Sequence, residues 1–339
     1  MDKGVDNYSF ERIVGHESII DHLQNALRMK KVSHAYILAG EDGSGKNQIA
    51  NAFASALQCE AGGVNPCGRC QSCIQFKNSN QPDIIRVTHE KASLSVEDIR
   101  VQLNQDIQIK PYSSRYKVYI IDEAEKMTEQ AQNALLKTLE EPPEYAVIML
   151  LTNNLNIFLP TIRSRCVILD LKMLDKDSIK EYLMERIGIP DYQAELAAAF
   201  SAGNIGKAIQ YASSDDFIGL KDNVIHLVKY MDEMKVNEMV AAVKAVSSER
   251  GNVNAFLDLL LLWFRDVLMF KATKNINGLL YRSEIESISQ QTNIISFEGV
   301  ENIINAIHKA RERVKANVNL ETLLELLMLT IKDNFGEDY

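Results

Sequence analysis

Four groups of residues in this chain have the types and spacing to do chemistry. The first is Gly40-Glu41-Asp42-Gly43-Ser44-Gly45-Lys46-Asn47. Glycines so placed let backbone N–H groups close around a phosphate at a helix N-terminus, and Lys46 adds a point charge for the β- and γ-oxygens. The residue after such a lysine is ordinarily a hydroxyl that ligates magnesium. Here it is Asn47, whose amide oxygen fits the tight octahedral shell of Mg²⁺ poorly. The loop is therefore expected to be better suited to holding nucleotide than to hydrolysing it.

The second group is Cys59-x7-Cys67-x2-Cys70-x2-Cys73, with Pro66, Gly68 and Gly62-Gly63 supplying turns. Paired Cys-x2-Cys steps let thiolates converge tetrahedrally on Zn²⁺, and four sulfurs fill a structural site with no open position. An insertion this small buries little core of its own, so metal is expected to hold it together. The third group is Asp122-Glu123 after an apolar run, with Thr152-Asn153-Asn154 after another. Asp122 could hold Mg²⁺ through water, Glu123 could polarise an attacking water, and Thr152 could feel a γ-phosphate from a strand tip. Read alone, the acid pair also fits a solvated helix start, and the asparagines a turn. The fourth is Ser164-Arg165-Cys166, where an arginine just before an edge strand is placed to reach out of its own domain. A guanidinium there could stabilise phosphate charge in a neighbour's site, or pair with a local carboxylate.

Alternating strands and helices must position these groups. Ala35-Tyr36-Ile37-Leu38-Ala39 reads as a buried strand before the glycine loop, and Gln48 to Leu57 as the helix after it. An earlier helix carries Ile19, Ile20, Leu23, Ala26 and Leu27 on one face. The loop before it, Ile13-Val14-Gly15, fits either an adenine pocket or a segment closing the core. Asp83 to Val87 and Lys117 to Ile121 read as further strands, separated by a helix that the capping-box pattern Ser95-Val96-Glu97-Asp98 announces. Thr128 begins a helix that the paired prolines after Glu140-Glu141 end. Ala146 to Leu151 and Val167 to Leu169 complete a strand–helix alternation, which implies a parallel sheet.

Beyond it the strand signals fade. Asp175 to Glu185, Tyr192 to Phe200 and Gly203 to Ala212 read as a small helical subdomain. Leu220 to Met231, Val236 to Ser247, Asn254 to Ala272, Phe297 to Val314 and Leu320 to Asn334 then all show helical spacing. Long helices without a catalytic constellation suit either an oligomerising bundle or a self-contained one. Trp263, Phe264 and Phe270 read as core rather than a binding cage, and His226 and His308 have no neighbour at ligand spacing.

A chain of 339 residues suggests two or three domains. Its net charge of −9, from 37 basic and 46 acidic residues, argues against clamping a nucleic-acid backbone by charge and makes proteins the expected direct partners. Four crowded cysteines suit a metal in a reducing compartment better than a disulfide framework. No apolar run approaches the ~20 residues of a membrane span, since Leu259 to Phe264 is flanked by Asp258 and Arg265. Met1 to Asp6 has no apolar signal region. A cytoplasmic location, with no membrane partner, is the expectation.

The residues His34-Ala35-Tyr36, the four-cysteine insertion, Ala131 to Pro143 and Ser164-Arg165-Cys166 together resemble the AAA+ subunits of the bacterial clamp loader, the ATP-driven machine that places sliding clamps on primed DNA. Gly203 to Ala208 resembles the family's lid segment, with Lys207 where a nucleotide-sensing arginine ordinarily stands. Ala316 to Leu324 resembles its last collar helix. The resemblance implies an AAA+ P-loop domain over 1–173 with a zinc module at 59–73, a helical lid over 174–212, and an all-α collar over 213–339. It implies nucleotide contacts from Gly40, Gly43, Gly45, Lys46, Asn47, Asp122, Glu123, Thr152 and Lys207, and zinc on Cys59, Cys67, Cys70 and Cys73.

Two kinds of subunit in that family share these motifs. Resemblance to the delta-prime type implies a stator that does not hydrolyse ATP and offers Arg165 to an adjacent ATP site. Its partners would be tau/gamma-type ATPase subunits and the delta subunit, in a hetero-oligomeric ring that meets the sliding clamp and primed DNA through the assembly. Asn47 and Lys207 favour this type over the ATP-hydrolysing tau/gamma type, whose long tau extension the chain also lacks, as the gamma form does. Lys46, Asp122 and Glu123 keep ATP with magnesium open. A zinc protein that binds DNA directly is a third reading, which the acidic balance disfavours.

Overall fold

Five parallel strands organise the first half of the chain. The computed structural model describes residues 8–89, 92–213, 215–247, 250–315 and 318–335. Met1 to Asp6, and Ala316 and Asn317 of the tail motif, lie outside the described residues. In chain order, α1 (Glu17–Arg28) precedes β1 (Ala35–Ala39), and α2 (Lys46–Gln58) leads through the cysteine segment to α3 (Gln71–Lys77) and β2 (Ile84–Val87). Next come α4 (Val96–Ile99), β3 (Lys117–Ile121), α5 (Glu129–Glu140), β4 (Ala146–Thr152), α6 (Pro160–Arg163) and β5 (Val167–Asp170). The strand order is β2-β3-β4-β1-β5. β1 lies between β4, with Ala35 opposite Ile148, and the edge strand β5, with Tyr36 opposite Val167.

Side chains alternate faces along each strand, so two cores form. Tyr36, Leu38, Val118, Ile120, Met149 and Leu151 pack with Leu23, Ile49 and Phe53 on one side. Ala35, Ile37, Tyr119, Ile121, Ile148 and Leu150 pack with Leu103, Leu135 and Leu139 on the other. Burial on both faces explains why β1, β3 and β4 are apolar throughout rather than alternating. The capping box at Ser95 forms with Asp98, and the backbone after α4 widens into a π-helical stretch, Arg100–Gln105. There Asn104 donates to the Ala134 carbonyl at 2.9 Å and accepts the Thr138 hydroxyl at 3.1 Å, tying the stretch to α5.

The second half is helical: α7 (Lys176–Tyr182), α8 (Asp191–Phe200), α9 (Ile205–Ser213), α10 (Asp215–Lys229), α11 (Val236–Ser247), α12 (Arg250–Thr273), α13 (Ile285–Ile294), α14 (Phe297–Lys315) and α15 (Leu320–Asp333). The chain divides into two compact units. One comprises residues up to Tyr182 together with Gly203–Lys207; the other comprises Leu183–Ala202 and Ala208 onward. The stretch expected as a lid, 174–212, is thus shared between them. None of the helices searched among the described residues is long and apolar enough to cross a membrane.

In the second unit Trp263 and Phe264 are fully buried, as the core reading expects, and Phe270 is half-buried. Helix α13 has no counterpart in the sequence reading, because Ser, Thr and Asn leave its apolar stripe short. Polar contacts hold it instead. Buried Gln291 accepts from Trp263 Nε1 at 2.8 Å and donates to the Val228 carbonyl at 2.7 Å.

The first unit depends on a buried charge outside its apolar cores. Asp83, 1% exposed, lies just before β2. Its carboxylate accepts backbone N–H groups from Tyr112 at 2.5 Å, Ser113 at 2.9 Å and Ser114 at 3.0 Å, which fixes the loop leading to β3. Asp83→Ala leaves those donors without an acceptor, and is expected to cost about 3 kcal/mol in urea unfolding of the first unit. A loss below about 1 kcal/mol would show that water replaces the carboxylate there.

Candidate functional site

Gly40 to Lys46 connect the carboxyl end of β1 to the first turn of α2. Gly43 and Gly45 have φ of 85° and 101°, backbone that side chains rarely adopt, and Gly45 caps α2. Gly40 has a different reason: a Cβ there would stand 2.8 Å from Ser44 Oγ and 2.9 Å from Leu171 Cβ. Lys46 is 7% exposed, and its Nζ donates to the carbonyls of Gly40 and, at 2.9 Å, Glu41. His16 Nε2 lies 3.1 Å from the Ser44 carbonyl, and burial lowers this imidazole's pKa.

The turn before α9 braces the loop from outside. Asn204, 1% exposed, accepts the N–H of Lys207 at 3.1 Å as the helix N-cap, while its Nδ2 donates to the Asp42 carbonyl at 2.8 Å. Gly206 N–H donates to the Gly43 carbonyl at 2.9 Å, and a Cβ at Gly206 would stand 2.7 Å from Gly43 Cα. Lys207 is therefore carried by the segment that holds the loop. The sequence reading singled out Lys207 but passed over Asn204, whose N-cap position just before an apolar helix was the available signal.

Asp122 stands at the carboxyl end of β3, one strand removed from β1. Asn47 Nδ2 donates to Asp122 Oδ2 at 2.7 Å, and Asp122 Oδ1 accepts the Glu123 N–H at 3.0 Å. An amide oxygen turned toward a carboxylate would repel it, so nitrogen must face Asp122. Both carboxylate oxygens are thus engaged, and Asn47 presents a donor where magnesium needs an oxygen. A carboxamide oxygen, one bond further out than a hydroxyl, fits the tight shell of that ion poorly. Glu123, in left-handed backbone with φ of 48°, pairs with Lys126 at 2.7 Å and His89 at 3.6 Å. Thr152 is fully buried; its hydroxyl donates to the Asn154 carbonyl at 3.2 Å and accepts the Asn154 N–H at 3.0 Å. Exposed Asn153 reaches the loop instead, with Nδ2 3.3 Å from Asp42 Oδ2.

Cys59 follows α2 directly and Cys70 caps α3, so the cysteine segment joins two helix ends. The Sγ atoms of Cys59, Cys67, Cys70 and Cys73 all lie within 4.8 Å of one another. With Zn–S bonds of about 2.3 Å, tetrahedral sulfurs stand about 3.8 Å apart, so the cluster closes on zinc with small movements. Backbone N–H groups already face the sulfurs, from Cys67 to Cys59 at 3.2 Å and from Cys70 to Cys67 at 3.4 Å. N–H groups of Arg69 and Cys70 pull the Cys67 thiol down to about 6, whereas burial raises those of Cys59 and Cys73. The donor set and its spacing fit a zinc ion.

Arg165 follows α6, immediately before the edge strand β5. Its Nη1 donates to the Thr161 carbonyl at 2.9 Å and its Nη2 meets Glu140 Oε1 at 2.8 Å. The guanidinium is about a third exposed, beside the end of α5. An ion pair this accessible is worth about 1 kcal/mol or less, so it orients the arginine without locking it.

A family profile described as "DNA polymerase III, delta subunit" matches residues 15–175, the stretch that carries the glycine loop, the cysteines, Asp122 and Arg165. DNA polymerase III subunit tau of Bacillus subtilis (strain 168) is 28% identical over 345 residues, covering 95% of this chain and 61% of that one. Among solved structures, a DNA polymerase III gamma subunit-related protein from Thermotoga maritima aligns with a TM-score of 0.46 at 20% identity, over 94% of this chain and 99% of that one. DNA polymerase III subunit delta′ of Bacillus subtilis (strain 168) is 31% identical over 315 residues, 92% of this chain and 94% of its own length. A likeness that runs through nearly all of both chains, and not through the loop alone, makes this chain a member of the DNA polymerase III delta′ family.

Proposed function

We propose that this chain is a stator-type subunit of a clamp loader: it does not hydrolyse ATP and completes a neighbouring subunit's ATP site with Arg165. The observation that carries this reading is the Asn47–Asp122 bond, which occupies the corner where a hydrolysing loop would hold magnesium. Loss of a metal there removes a charge clamp worth several kcal/mol to phosphoryl transfer. Arg165 supports the other half. It stands beside the sheet edge with a planar fork suited to phosphate oxygens, and Glu140 can release it at little cost.

The partners proposed are tau/gamma-type ATPase subunits and a delta subunit, with the sliding clamp and primed DNA engaged through the assembly and the net charge of −9 keeping direct DNA contact minor. The second unit would serve as the collar. Leu326 and Leu329 on α15, 53% and 40% exposed, are apolar side chains available to a partner helix. Cys59, Cys67, Cys70 and Cys73 would hold structural zinc that fixes α2 to α3. The setting of such a machine is the cytoplasm.

Two measurements test these roles. In the ring rebuilt with motor partners, Arg165→Ala is expected to lower ATP turnover at the adjacent site by at least about 10²-fold, Arg165→Lys to rescue little of it, and Lys46→Ala to leave turnover within about twofold. Damage from Lys46→Ala with none from Arg165→Ala would make this chain a motor. Metal analysis of the native chain is expected to find zinc in stoichiometric amount, and Cys70→Ser to lose it and open the 59–73 segment to protease. Native protein without zinc would remove the staple.

A further inference from the structure

The glycine loop is built to hold phosphate although its metal corner is closed. A trans peptide sets C=O and N–H on opposite sides. Asn204 and Gly206 hold the Asp42 and Gly43 carbonyls outward, so the N–H of Gly43 is turned away from the bracing segment. Lys46 is seated on the Gly40 and Glu41 carbonyls, and the first turn of α2 begins at the loop's end. Ser44 Oγ, in the same loop, is buried and has no hydrogen-bond partner among the described residues. Braced by the turn before α9, the loop encloses a buried hydroxyl without a partner, which a phosphate oxygen could satisfy.

Asn47 answers what the metal would have done there. In a magnesium-dependent loop the cation bridges the residue after the lysine, the strand-end aspartate and the phosphates. Here the carboxamide spans the same gap at 2.7 Å and orients Asp122 without a cation. We infer that the loop binds a nucleoside di- or triphosphate free of divalent cation, with Asn47 as the residue that sets this preference. The inference rests on reading Gly40 to Lys46 as a phosphate loop, and not on whether Arg165 acts in a neighbour's site.

Calorimetric titration of the full chain with ADP and with ATP, once with magnesium and once with a chelator, tests it. The wild type is expected to give dissociation constants that agree within about threefold across the two conditions. Asn47→Thr, an exposed substitution that places an oxygen toward Asp122, is expected to gain at least about tenfold in affinity from magnesium. Tightening of the wild type by about tenfold or more with magnesium would overturn the inference. So would an Asn47→Thr chain as indifferent as its parent, or a wild type that binds neither nucleotide under either condition. Each of those results leaves the Arg165 reading standing, because that is decided by turnover in the ring. An Arg165→Ala ring that turns over ATP at the wild-type rate, conversely, says nothing against metal-free binding.

Discussion

Parallel strands all end on one edge of their sheet, and the first unit is arranged around that constraint. The carboxyl ends of β1, β3 and β4 bring Gly40, Asp122 and Thr152 to a common rim although more than a hundred residues separate the first from the last. Two apolar cores, one on each face, hold the strands in a fixed register, so the rim is as rigid as the sheet beneath it. On that rim a hydrogen bond from Asn47 to Asp122 ties the first turn of α2 to the end of β3. In the proposed reading, a hydroxyl in place of the carboxamide would give the same scaffold the parts of a motor, whereas Asn47 leaves a phosphate cradle without the metal's corner.

Two further features lie outside the rim. Arg165 precedes β5, the edge strand among the described residues, and Glu140 from the end of α5 pairs with its guanidinium. The cysteine cluster joins the end of α2 to the start of α3. It is stitched to the N-terminal segment by Asn65, which donates to Glu11 at 2.9 Å and accepts from Gln24 at 3.4 Å. Because α2 also begins at the glycine loop, the cysteine cluster at one end and glycines at the other bound the same helix.

Much of this is legible in the sequence. Strands buried on both faces announce themselves as continuous apolar runs, and Ser95, Thr128 and the prolines after Glu141 mark helix ends through local chemistry that depends on nothing distant. What could not be read were pairings across the fold. Nothing in the string joins Asn47 to Asp122 or Arg165 to Glu140, and the sequence left the arginine's two uses open. Thr152 reads as a phosphate contact because it ends a strand, yet its side chain closes on Asn154 while Asn153 faces the loop. Helix α13 was missed because its stability comes from Gln291 and its partners, a tertiary override of weak propensity.

The central claim is that this chain stands still while its neighbours turn over ATP. The most direct measurement is single-turnover hydrolysis, with the isolated full chain in excess over labelled ATP and magnesium present, compared with Asn47→Thr and Lys46→Ala chains. The stator reading predicts no product above the uncatalysed background from the wild type. Product formation by the wild type that disappears in Lys46→Ala would contradict it, and would mean that Asn47 accommodates the chemistry it was inferred to exclude.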